Sequence, residues 1–167
     1  MQVNHFPISE LTSLMQGLRT MPHFAVVRNP WDRAVSAWNF ARCGGGQDNL
    51  VRVRSHYRYQ VPAFQTFERF VHEWLPYQDL DGVDGMFRAQ KHFLTDAEGH
   101  LKLDHLGRFE DIAATVRWLQ VHVPAVQEIP HLNGVDRAPY RQHYTPASRD
   151  LIGQIYARDI ELFGYDF

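Results

Sequence analysis

Apolar positions recur at helical spacing along five stretches of the chain. In "HFPISELTSLMQGL", Ser9 is placed as an N-cap, Leu11, Leu14, Met15 and Leu18 follow at helical spacing, and Gly17 and Thr20 to Pro22 mark the end. In "NPWDRAVSAWNFAR", Asn29 can cap and Pro30 suits the first helical position. Trp31, Ala34, Val35, Trp38 and Ala41 then form a stripe that predicts a helix to about Arg42. "PAFQTFERFVHEWL" turns Phe64, Phe67, Phe70, Val71 and Trp74 inward, and "EDIAATVRWLQVHV" reads as a helix stopped by Pro124. The last helix starts at Thr145-Pro146, buries Leu151, Ile152, Ile155, Tyr156, Ile160 and Phe163, and ends at Gly164.

Between these helices the rhythm changes. "HFAVV" is a short apolar run ending at Arg28 and reads as a buried strand. "HFLTDAEGHLKLDHLGRFE" predicts two short strands around the turn at Asp96 to Gly99. Three glycines open the stretch from Cys43 to Pro62, which reads as a long loop with at most one short strand at Val51 and Val53. The chain shows no internal repeat and no clear domain boundary, so one domain over residues 1–167 is expected.

Composition narrows the class. With 44% hydrophobic and 22% charged residues, the chain can bury a core and is not of the disordered type. A net charge of −2 with ten neutral His excludes a global basic field, so no nucleic-acid partner is expected from charge. The single Cys43 forbids an intrachain disulfide and points to a reducing compartment, a bacterial cytoplasm by expectation. No apolar run has the length of a membrane span, and the first residues have neither part of a signal peptide. No His pair stands at ligand spacing on a helix, so no metal is expected.

The stretch "FAVVRNPWDRAVSAWNF" carries the chemistry. A strand running straight into a capped helix is the unit of parallel α/β sheets, whose ligands bind beyond the carboxyl ends of the strands. The start of such a helix suits a phosphate, and Arg28 adds a bidentate guanidinium. Ser36 lies too deep for a cap but can meet a ligand lying along the helix. The competing reading pairs Arg28 with a carboxylate and makes Ser36 a packing residue.

The residues resemble more than a spacing. "VRNPWDRAVSAWNF" is similar to the 3′-phosphate-binding segment of sulfotransferases that use PAPS (3′-phosphoadenosine 5′-phosphosulfate). The likeness is to the carbohydrate sulfotransferases of the chondroitin, dermatan, HNK-1 and heparan 2-O type and their bacterial relatives. Their pattern Arg-x-Pro-x-x-Arg-x-x-Ser is filled by Arg28, Pro30, Arg33 and Ser36. "FRAQKHFLTDAEGHLKLDHLGRFEDI" resembles the family's middle segment, and "YRQHYTPASRDLIGQIYARDIELFGYDF" its C-terminal part. The resemblance implies a P-loop-like α/β fold, a short parallel sheet flanked by helices. It implies that Arg28 and Ser36 hold the 3′-phosphate, that Arg33 braces the turn, and that the acceptor is a carbohydrate hydroxyl. It also implies that Arg137, Tyr140 and Arg141 close over the nucleotide and that His5, in a "His-x-Pro"-like segment, is the base.

One part of the pattern is not matched. The family's first strand–loop–helix grips the 5′-phosphosulfate with a lysine in a Gly-containing turn, and the only lysines here, Lys91 and Lys102, stand in no such context. The expectation is a sulfotransferase fold without its N-terminal unit, a fragment or short gene product or a chain whose loop another chain supplies, which puts the activity of this chain alone in doubt. The "HFAVV" strand would then have an unpaired edge at which two copies could associate. In "RVRSHYRY", Arg52, Arg54 and Arg58 interleave with aromatic residues, as on surfaces that bind anionic sugars, and are assigned to the acceptor; a solvated loop is the alternative. Two further readings stand beside the enzyme: an inactive nucleotide-binding scaffold of the same fold, and a module binding anionic glycan or nucleic acid.

Overall fold

The structure, a computed structural model, describes residues 7, 8, 10, 17, 20–46, 52, 53, 55–129 and 138–167. In chain order its main elements are strand β1 (Phe24–Val27), helix α1 (Pro30–Cys43), strand β2 (His105–Arg108) and helices α2 (Ile112–His122), α3 (Pro146–Ile155) and α4 (Ala157–Phe163). The fold is thus mixed helix with a small parallel sheet. Two compact units divide it, Met1–Arg28 with Arg88–Ile129 and Asn29–Phe87 with Pro130–Phe167. Ile8 and Glu10 are helical, and most of the first expected helix lies outside the described residues.

In the first unit β1 and β2 pair in parallel, with Phe24 opposite His105 and Val27 opposite Arg108. The ladder opens with a clasp: Asp104 accepts the His23 N–H at 2.7 Å, while the His23 carbonyl accepts from the N–H groups of Asp104 and His105. β1 was expected to be buried throughout, but it alternates, with Val27 inside and Phe24 and Val26 exposed. The alternate residues Phe24 and His105 face α2, where Trp118 stacks on His105 at 4.8 Å and meets Phe24 at 6.0 Å. Asp111 caps α2 by accepting from the Ala114 N–H.

The two strands expected around Asp96 are not there. The turn itself forms, but a single antiparallel bridge, Thr95 to Leu101, closes it, and Lys91–Leu94 before it is helical. Asp96 accepts the His100 N–H at 2.8 Å, and this bond with the Lys102 cation holds its carboxyl below the usual carboxylate range. The strand of this region lies later, at β2, because its partner is β1 rather than a sequence neighbour.

The second unit is built on aromatic side chains. Helix α1 buries Trp31, Ala34, Val35, Trp38 and Ala41, the stripe read from the sequence. Gly44 ends it with φ 78°, and the His56 ring occupies the space a Cβ there would need. The helix expected over residues 62–75 forms as four short turns of unequal pitch, Pro62–Phe64, Phe67–Arg69, the wide turn Phe70–Trp74 and Leu75–Tyr77. Thr66 is extended and restarts the helix by capping the Arg69 N–H, and the wide turn bonds the Leu75 N–H to the Phe70 carbonyl. The irregular pitch brings Phe64, Phe70, Trp74 and Phe87 into one cluster, with ring centroids between 5.0 and 6.2 Å apart. The last helix is likewise two, α3 and α4, broken at buried Tyr156, whose hydroxyl donates to the Phe87 carbonyl at 2.7 Å. Thr145 and Ser148 form a capping box at its start, and Gly164 ends it with φ 62°.

Gly107 of β2 is a packing requirement. A Cβ there would meet the Thr115 hydroxyl at 1.9 Å and its Cβ at 3.1 Å, and Thr115 is fully buried. Gly107→Ala is expected to cost about 1–3 kcal/mol by overpacking, and Thr115→Ala in the same chain to restore part of it. Urea denaturation of the parent and the two variants measures this; an unchanged midpoint in Gly107→Ala would remove the close contact.

Burial pushes the Tyr156 phenol up to about 12, from an ordinary 10.0. The folded state therefore holds this proton more tightly, so the contribution is complete below pH 10 and is lost as pH rises from about 10 to about 12. Tyr156→Phe should cost about 1–3 kcal/mol near neutrality by leaving the Phe87 carbonyl unpaired. That difference should shrink when denaturation is repeated above pH 11. A difference independent of pH would show that the phenol titrates normally.

Candidate functional site

The first unit presents Arg28. It follows β1 directly at the carboxyl end of the parallel pair, where the ladder with β2 has stopped. Its main chain is taken over by one side chain: the Gln90 Oε1 accepts the Arg28 N–H at 2.9 Å, and the Gln90 Nε2 donates to the Arg28 carbonyl at 2.9 Å. Gln90 is buried, so the amide is well shielded from water. The guanidinium carbon lies 4.3 Å from the centre of the Phe109 ring, a face contact that consumes no N–H donor. Arg28 is thus fixed at its main chain by Gln90 and at its guanidinium by Phe109.

The second unit begins at the next residue. Asn29 caps α1, its Oδ1 accepting from the N–H groups of Trp31 at 3.0 Å and Asp32 at 3.5 Å, while its Nδ2 donates to the Asp166 carbonyl at 2.7 Å. Pro30 has no N–H, and the Arg33 N–H bonds the Asn29 carbonyl. This corrects the expectation of open donors for a phosphate at the helix start: the chain's own side chain and backbone take them, and Asp32 adds a negative charge in the first turn. The dipole of the helix remains. Arg33 reaches the Gly85 carbonyl at 3.2 Å, and Ser36 is half-buried on α1.

The described residues of the candidate acceptor loop are anchored at several points. Arg52 is exposed and pairs in an isolated bridge with Gly45. Arg58 is exposed in the turn His56–Tyr59, its basicity raised mainly by the Tyr57 hydroxyl. The turn is anchored by buried Tyr59, whose hydroxyl donates to Asp84, and by Ser55, which donates to the same carboxylate at 2.9 Å. Burial, with the Asp84 carboxylate beside it, pushes the Tyr59 phenol well above its ordinary range.

Tyr140 and Arg141 come together, around the C-terminal ring. Phe167 meets Trp31, Tyr140 and Tyr144 edge-on at 5.7, 5.7 and 5.4 Å. The Arg141 guanidinium lies 4.9 Å from the Tyr140 ring and 5.5 Å from Phe167, and the Tyr144 hydroxyl donates to the Trp31 carbonyl at 2.8 Å. The arrangement fastens the chain end to the start of α1. His5, Arg54 and Arg137 lie outside the described residues. Gln90 and Phe109 had no assigned role in the sequence reading. Their segments carry the family likeness, but nothing local signals an amide aimed at residue 28.

Among the described residues no group of His, Cys, Asp and Glu is placed to hold a metal ion, and no helix is long and apolar enough to cross a membrane. Against known protein families, residues 2–166 match the one described as Sulfotransferase family. The chain belongs to the sulfotransferase family. No curated protein and no solved structure was found to match it.

Proposed function

We propose that this chain binds the 3′-phosphate of PAPS and serves sulfuryl transfer to a carbohydrate hydroxyl. The observation that carries the reading is Arg28, fixed at the carboxyl end of β1 and followed at once by the capped α1, in a chain of this family. Sulfotransferases generally take their sulfuryl group from PAPS. The residues fit one end of that donor: Arg28 offers a bidentate cation and Ser36 a hydroxyl for a phosphate dianion. At the other end no described lysine opens a strand-to-helix turn. Lys91 begins the short helix Lys91–Leu94, and Lys102 pairs with Asp96 at 3.0 Å. The 5′-phosphosulfate grip is therefore assigned to sequence beyond these two lysines, on this or another chain. Arg52, Arg54 and Arg58 are assigned to an anionic sugar acceptor, Arg137, Tyr140 and Arg141 to the nucleotide, and His5 to the acceptor proton.

Calorimetric titration with 3′-phosphoadenosine 5′-phosphate tests the clamp. Arg28→Ala should lose about 2–5 kcal/mol of binding, the cost of unpairing a desolvated charge. Ser36→Ala should lose about 0.5–1.5 kcal/mol, the net worth of one hydrogen bond. Equal affinity in Arg28→Ala and the parent would remove the clamp.

The second test is catalytic. With the 5′-phosphosulfate loop supplied, the acceptor oxygen bonds the sulfur as its proton passes to a base, while the bond from sulfur to the 5′-phosphate oxygen breaks and 3′-phosphoadenosine 5′-phosphate leaves. His5→Ala should then lower turnover by about 10²–10⁴-fold while nucleotide affinity changes by less than about threefold. The pH profile should lose a limb between roughly pH 6 and 7. Unchanged turnover would move the base elsewhere, and nucleotide binding without transfer to any sugar would favour the scaffold.

A further inference from the structure

We propose that Gln90 and Phe109 are the positioning residues of Arg28, and that together they set the selectivity of this chain for a nucleotide bearing a 3′-phosphate. The inference rests on the reading of Arg28 as the 3′-phosphate ligand and adds two residues to it.

A guanidinium on a flexible stem is a poor clamp until its main chain and its plane are both fixed. At Arg28 two separate devices do this. Gln90 acts as a one-residue strand, giving the Arg28 N–H an acceptor and the Arg28 carbonyl a donor, each at 2.9 Å, where β2 no longer runs alongside. A side-chain amide carries its acceptor oxygen and its N–H donors side by side in one plane, so it can do both at once. Phe109 holds the other end. It directly follows Arg108, the partner of Val27, so the next position along each strand direction is Arg28 on one chain segment and Phe109 on the other. Their side chains meet face to cation at 4.3 Å. Stacking fixes the guanidinium plane through its face, and bidentate phosphate recognition uses the N–H edge. The three residues belong to one compact unit, and the bracket is buried while the ring is 37% exposed.

Affinity for 3′-phosphoadenosine 5′-phosphate divided by affinity for adenosine 5′-phosphate isolates the 3′-phosphate contact. Calorimetry on the full chain should give a parent ratio well above one, and Arg28→Ala should collapse it towards one. Gln90→Ala and the near-isosteric Gln90→Glu, which keeps the acceptor and loses the donor, should each lower the ratio by about five- to twentyfold. Affinity for adenosine 5′-phosphate should change less than about twofold. Phe109→Leu should lower the ratio about threefold, and Phe109→Tyr, which keeps the ring face, should restore it. A merely structural role would lower both affinities together and leave the ratio alone. If Gln90→Ala does not fold, Gln90→Glu with its unfolding midpoint decides. A parent ratio near one, or one that Arg28→Ala leaves intact, overturns the Arg28 reading and this proposal with it. A ratio that collapses in Arg28→Ala but survives in the Gln90 and Phe109 variants overturns the positioning roles alone.

Discussion

Where the ladder of β1 with β2 ends, the main chain at Arg28 still carries an N–H and a carbonyl that need partners. Gln90 provides both. The same demand recurs through the molecule, because much of it lies outside long helices and strands. In the second unit buried and half-buried aromatic residues answer it with their polar tips. The Trp31 indole donates to the Arg149 carbonyl, the Trp38 indole to the Phe64 carbonyl, and the Tyr144 and Tyr156 hydroxyls to the carbonyls of Trp31 and Phe87. Each of these side chains brings apolar area to the core and settles a backbone acceptor with one atom. That combination lets the short turns between Pro62 and Tyr77 pack without a regular helix behind them.

The same economy shapes the start of α1. Asn29 spends its carbonyl oxygen on the helix N-terminus and its amide on Asp166, so the cap also ties down the chain end. Phe167, one residue on, then enters the rings of Trp31, Tyr140 and Tyr144. The first turn of α1 and the last residues of the chain thus depend on each other. Arg141 and Arg149 cover the Phe167 ring at 5.5 and 5.8 Å, which keeps two cations beside that turn despite Asp32 within it.

Helix ends were legible in the sequence because their signals are local. Asn29-Pro30 with Gly44, and Thr145-Pro146 with Gly164, bracket helices as read, since caps and left-handed glycines act within a few residues. Misread segments are those decided at a distance. The alternation around Asp96 could not say that β2 pairs with a strand some eighty residues earlier. The stripe from Phe64 to Trp74 could not say that aromatic packing would replace one helix by turns of unequal pitch. Nor could the run from Pro146 to Phe163 announce a break at Tyr156, where the hydroxyl reaches Phe87. For the candidate site, Arg28, Pro30, Arg33 and Ser36 stand in one linear motif and could be read as such. Gln90 and Phe109 act on Arg28 from sixty and eighty residues away, and only the folded chain brings them there.

On the proposed reading, the capped start of α1 decides how the anion is recognised. A helix N-terminus with open N–H groups binds phosphate through the backbone, and such a site tolerates changes of side chain. Here Asn29 and the Asn29 carbonyl occupy those donors, and what remains of the helix is its partial charge. On the proposed reading the phosphate is therefore held by side chains, whose placement has to be enforced from outside the motif. Arg28 is enforced through its main chain by a buried amide and through its plane by an aromatic ring. Arg33, which occupies the third place of the same motif, is committed at least in part to the Gly85 carbonyl. One motif thus contains one arginine stacked on an aromatic ring at a strand end and one that reaches a backbone carbonyl. Spacing alone treats the two alike; the partners that fix each of them make the difference in role.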